Sequence, residues 1–127
     1  MRRPLLTALA LCAATAATAA TAQDRFRDLP LDPATATADS AIATLLPYMT
    51  GHPETPEGRP GLSLVMSGNG GTLDVTLKLT GYLDDAVMGA VYRGQIAQDP
   101  DGRWTLTRIA TRPICARGAP NADGLCP

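Results

Sequence analysis

The chain contains one histidine and three cysteines, has no apolar run long enough to span a membrane and shows no excess of basic charge; each shortage removes a class of function. His52 stands alone in the segment Gly51–Gly61, beside Glu54 and Glu57, and one histidine without a cluster of free thiols makes a poor zinc or copper site. That segment holds three prolines and three glycines, which marks a surface loop, so His52 reads as a solvated loop residue and no metal is expected. The longest strongly apolar stretch, Pro4–Ala14, is about 11 residues where a span needs about 20. Eleven basic residues against twelve acidic ones provide no electrostatic footprint for nucleic acid. Ser40, Ser63 and Ser67 lie in no Gly-x-Ser-x-Gly setting, so no hydrolase is indicated, and no sequence motif calls for a cofactor.

What is present begins with an export signal. Arg2 and Arg3 precede the apolar stretch, and the Ala/Thr tract ends in Ala20-Thr21-Ala22, placing small residues at the two positions that a signal peptidase reads. Residues 1–22 are therefore expected to be a cleavable signal peptide, and residues 23–127 one small domain that is periplasmic or secreted. Leu11 before Cys12 is too large for a lipoprotein site, so Cys12 should leave with the signal. Loss of Arg2 and Arg3 leaves nine basic groups against twelve acidic ones, a net charge of −3. Cys115 and Cys126 remain, and in an oxidising compartment they have only one intrachain pairing. They lack the Cys-x-x-Cys spacing of a redox pair, so a structural disulfide is expected.

Along the domain, Asp32-Pro33 suits a helix start. Over Ala34–Leu46 and just beyond, Ile42, Leu45, Leu46 and Met49 share one helical face, with a kink or early end expected at Pro47. Four strands follow, over Leu62–Ser67, Thr72–Tyr82, Val87–Gln98 and Arg103–Arg112. In the second, Leu73, Val75, Leu77 and Leu79 alternate with polar residues, the mark of an antiparallel sheet with one covered face. Asp99-Pro100-Asp101-Gly102 predicts a tight hairpin turn. Met88, Ala90, Tyr92 and Ile96 are placed on one face of the third strand, with Gly94 between. The fourth slips after Leu106, where Arg108 takes an apolar slot, so a bulge is expected there. The fold class expected is α+β, one amphipathic helix packed on one face of an antiparallel meander of about four strands.

Asp84-Asp85 sits between the second and third strands, where a carboxylate commonly bonds its own backbone; the alternative is a small site that uses Asp84, Asp85 and the C-terminal arginines. The segments Asp84-Asp85-Ala86-Val87-Met88-Gly89, Asp101-Gly102-Arg103-Trp104 and Cys115-Ala116-Arg117-Gly118 with the closing Cys126 resemble small exported bacterial proteins of uncharacterised function, over residues 82–127. The resemblance implies export, a disulfide and a strand pair, and it implies no activity. Positive charge gathers at this end: residues 86–127 carry five arginines against three aspartates, and Arg112 and Arg117 flank Cys115. These two are the candidate partner contact. Three functions are open: a non-catalytic binding domain for another envelope or extracellular protein, a secreted inhibitor that presents its disulfide loop to an enzyme, and a small-ligand carrier or enzyme. None of them involves nucleic acid, or a membrane once the signal is removed.

Overall fold

The computed structural model describes residues 25–50 and 59–127; the expected signal peptide, Cys12, His52, Glu54 and Glu57 lie outside the described residues. Strands β1 (Arg27–Asp28), β2 (Thr37–Ala38), β3 (Gly61–Asn69), β4 (Thr72–Thr80), β5 (Val87–Gln98) and β6 (Trp104–Cys115) form one antiparallel sheet. The order is β1-β6-β5-β4-β3, and β2 also pairs with β6. The four long strands are the expected meander. The two short ones close the β6 edge.

Directly opposite residues in an antiparallel pair share a face, so the alternation of β4 propagates through the sheet. Leu79, Leu77, Val75 and Leu73 stand opposite Ala90, Tyr92, Gly94 and Ile96 of β5, while Leu62, Leu64 and Met66 of β3 face Leu79, Leu77 and Val75. The expected slip in β6 is a bulge. Gln95 pairs with Arg108 and Ile96 with Leu106, which leaves Thr107 as the extra residue and returns both Leu106 and Ile109 to the inner face. A second irregularity between Val87 and Gly89 sets Met88 outside the β5–β6 ladder, and its side chain is exposed rather than part of the core. The hairpin turn forms as read. Asp99 Oδ1 accepts from the Asp101 and Arg103 amides at 3.0 and 2.9 Å, and Gly102 takes φ +84°, a left-handed value that costs glycine little.

The long helix from Ala34 does not form. Asp32 Oδ1 does accept the Ala34 amide at 2.9 Å, but the chain makes only one turn, with the Thr35 and Ala36 amides bonded to the Asp32 carbonyl. It then extends into β2, where Thr37 and Thr105 join through their hydroxyls at 2.9 Å. β-Branched threonines at 35 and 37 pack well on a pleated surface and lose rotamer freedom in a helix, and here pairing with β6 wins. Helical structure starts only at Ile42, as a 3-10 turn (Ile42–Leu45) that runs into one α turn, α1 (Leu46–Met49), in whose first turn Pro47 is tolerated. The tighter turn rotates the buried face. Thr44 and Leu45 are buried and Ala41, Tyr48 and Met49 pack against the core, while Ile42 and Leu46, expected inside, are exposed.

The α+β expectation therefore holds as an antiparallel sheet with one helical segment of eight residues, though with six strands rather than about four. Its core is Leu45 on Val75, Ile96, Leu106 and Ile109, flanked by half-buried Leu29, Leu31, Leu64, Tyr92 and Trp104. Each fully buried aliphatic side chain there contributes about 1.5 to 3 kcal/mol from removal of its surface from water. The opposite face is not uniformly wet: Val91 and Ala110 are also buried. Among the described residues no helix is long and apolar enough to cross a membrane.

Candidate functional site

The β1 register explains what covers Val91 and Ala110. Asp28 pairs with Ala110 and Arg27 with Thr111, so one step back along the chain brings Phe26 beside Arg112 on the outer sheet face. In β5 and β6, Arg93 is opposite Ala110 and Arg112 is opposite Val91. The two guanidinium groups thus converge on one ring, with the Arg93 carbon 4.5 Å and the Arg112 carbon 5.3 Å from the Phe26 centroid. A guanidinium over an aromatic face gains cation–π energy and keeps its edge N–H groups available to an acceptor.

The charges around this pair are uneven. Arg108 Nη2 lies 3.3 Å from Asp28 Oδ1, and Gln95 donates to Asp74 Oδ1 at 2.9 Å, so the carboxylates of Asp28 and Asp74 are engaged. The ion pairs of the described residues are Arg108–Asp28 and Arg103–Asp39, which leaves Arg93 and Arg112 without a carboxylate within that set. Arg112 Nε is buried and has no acceptor among the described residues. Such a group carries a desolvation cost of about 1 to 3 kcal/mol unless a partner is supplied. An open hollow of about 290 Å³ lies on the Arg93 side of the ring, lined by Phe26, Asp74, Arg93, Gln95 and Arg108 and not by Arg112.

The C-terminal tail borders this face. Cys115 and Cys126 form a disulfide with their Cα atoms 5.3 Å apart, and the loop between them is organised by Asn121, whose Oδ1 accepts from the Asp123 and Leu125 amides at 3.0 and 2.9 Å. Asp123 and Gly124 share a hollow with Arg25, Phe26 and Arg27, so the closed tail sits next to the arm that carries the ring.

Of the partner-contact pair read from the sequence, Arg112 belongs to the stacked cluster and Arg117 lies exposed within the loop that the disulfide closes. Asp84 is occupied structurally. Its Oδ1 accepts from the Ala86 and Val87 amides, both at 2.7 Å, and these bonds hold the carboxyl below its ordinary value. Asp85 is exposed in the same turn. Among the described residues no three His, Cys, Asp or Glu side chains are grouped to hold a metal. Phe26 and Arg93 were not among the residues singled out from the sequence. The available signal was period-2 alternation in β5, which sets Arg93 with Val91 and Gln95 on the outer face; nothing in the sequence gives the register of a two-residue β1.

No family model, curated protein or solved structure matches the chain.

Proposed function

We propose that this is an exported, non-catalytic binding domain whose outer sheet face takes an anionic group, in the first instance an acidic side chain of another envelope or extracellular protein. The observation that carries the reading is the pair Arg93 and Arg112, stacked on Phe26 without a carboxylate of their own among the described residues. Two like charges held on one ring repel each other, and a bound anion relieves that repulsion while accepting the free N–H groups. The residues around the hollow support binding rather than proton transfer, because Asp74 and Asp28 are already bonded to Gln95 and Arg108. The N-terminal export pattern and the disulfide support a location outside the cytoplasm.

Fluorescence anisotropy with a labelled acidic peptide as probe tests the reading. Wild-type protein should bind, with affinity that falls as salt rises. Replacement of both Arg93 and Arg112 by Ala should weaken binding by roughly tenfold or more, as expected when charge-assisted hydrogen bonds of about 1.5 to 3 kcal/mol are lost. Lysine at both positions should recover only part of it, because an ammonium lacks the guanidinium fork. Equal affinity of wild type and the double Ala variant would overturn the proposal.

A further inference from the structure

We infer that β3 is a dimerisation strand, through which two copies of the chain pair antiparallel along Ser63–Ser67 about a two-fold axis at Val65. The two ends of the sheet are built differently. At one end β6 is covered by β1 and β2, whereas at the other β3 is the last strand, and among the described residues no further strand pairs with it. Natural edges are usually blunted by charge, proline, bulges or brevity. β3 is nine residues long, pairs with β4 without a register break, and contains no charged residue and no proline.

Its side chains also lack cover. Leu62 and Met66 on the inner face are 46% and 38% exposed, and Val65 on the outer face is 59% exposed. Among the described residues the helical segment packs toward Leu64 and does not cover Leu62, Val65 or Met66.

A second copy is the occupant that the sequence favours, because Ser63-Leu64-Val65-Met66-Ser67 reads nearly the same in both directions. With the axis at Val65, Val65 faces Val65 of the second copy, Leu64 faces its Met66 and Ser63 faces its Ser67. Opposite residues share a face, so every apolar residue of the five meets an apolar residue and every hydroxyl meets a hydroxyl. A register centred on Leu64 would set Ser63 against Val65 twice. The inner faces then join, bringing Leu62, Leu64 and Met66 of both copies into one apolar strip. An uncharged strand sets up no repulsion against itself, and the contact is isologous, so it closes at two copies.

Sedimentation equilibrium of the mature protein over a range of concentrations should show a monomer–dimer equilibrium. Val65→Arg places two like charges on the axis and should raise the dissociation constant at least tenfold, with an unchanged far-ultraviolet circular dichroism spectrum. Val65→Cys gives an independent reading. Cys115 and Cys126 are bonded to each other, so the new thiol is free, and Cα atoms of opposite residues are about 4.5 to 5.5 Å apart, within disulfide range. Mild oxidation should link this variant into a dimer, whereas Ser63→Cys, which faces Ser67 of the other copy, should link poorly. The proposal is overturned by a wild-type protein that stays monomeric, including one whose edge takes up an unrelated strand peptide instead. A dimer that tolerates Val65→Arg, or equal linking of the two cysteine variants, overturns it as well.

Discussion

Opening the Cys115–Cys126 bond should weaken the domain without dismantling its sheet. The bond closes 11 residues of chain, and in the chain-entropy treatment a closure of that length contributes about 2.8 kcal/mol by restricting the unfolded state. The folded loop has supports of its own. Asn121 bonds the amides of Asp123 and Leu125, and Ala116 donates to the Ala86 carbonyl at 2.8 Å, so the released tail has local order to retain. The core of Leu45, Val75, Ile96, Leu106 and Ile109 includes no residue of the tail. A domain of this size has a stability of about 5 to 15 kcal/mol, which the loss reduces without abolishing. Urea unfolding with and without reductant, and of a Cys115→Ser/Cys126→Ser variant, should show that loss as a lower midpoint, with a slope no smaller than that of the bonded form because the freed unfolded chain is less compact. The midpoint of thermal unfolding should fall by roughly 11 to 22 °C, and the far-ultraviolet spectrum at low temperature should persist. Because Asp123 and Gly124 lie beside the Phe26 arm, affinity for the acidic probe should drop as well. Identical midpoints in the two redox states would refute the reasoning from one side; loss of all sheet signal on reduction would refute it from the other.

Gly94→Ala should destabilise by about 1 to 3 kcal/mol in urea unfolding, since the added methyl would lie 2.6 Å from the Arg108 carbonyl at the bulge and 3.0 Å from Ile109 Cδ1. Ile109→Val should offset only part of that, because the backbone contact remains. Leu45→Ala removes a fully buried side chain from the centre of the core and should cost about 2 to 5 kcal/mol by the same assay, whereas Leu46→Ala, at an exposed position, should cost far less. Asp84→Ala should lower the thermal midpoint near neutral pH. The folded carboxyl is held below its ordinary value, so its contribution is complete above the unfolded value and disappears as pH falls through the folded one. The gap between wild type and Asp84→Ala should accordingly narrow in strong acid, and a gap that is constant with pH would assign Asp84 no such role.

The meander was legible because its signals are local. Alternation in Thr72–Thr80 and the Asp99–Gly102 turn each determine one strand's face or one reversal, and Val87–Gln98 has the bounds read from the sequence. The bulge at Thr107 was visible as a phase slip between Leu106 and Ile109. Residues 34–41 were misread because a capping aspartate and apolar spacing are compatible with a helix, and only the partner strand β6 supplies what draws Thr37–Ala38 into the sheet. The stacked arginines were half legible for the same reason. Arg112 stands out in the sequence by its place beside Cys115, but Arg93 is 19 positions earlier and Phe26 is 86 earlier, and a tertiary register brings the three together. Arg117 shares with Arg112 a position next to the cysteine but not a place in the sheet, so proximity in sequence overstated its link to the site.

On the function proposed above, the Phe26 face, and not arginine charge in general, receives the anion. Arginine Nε–H signals resolved by nitrogen-15 NMR during titration with the acidic peptide test this most directly, because each guanidinium reports separately. Arg93 and Arg112 should shift first and saturate together, with the buried Arg112 Nε–H gaining protection from exchange, while Arg103 and Arg117 move little. Equal shifts at all arginines, or shifts confined to Arg103 and Arg117, would contradict it.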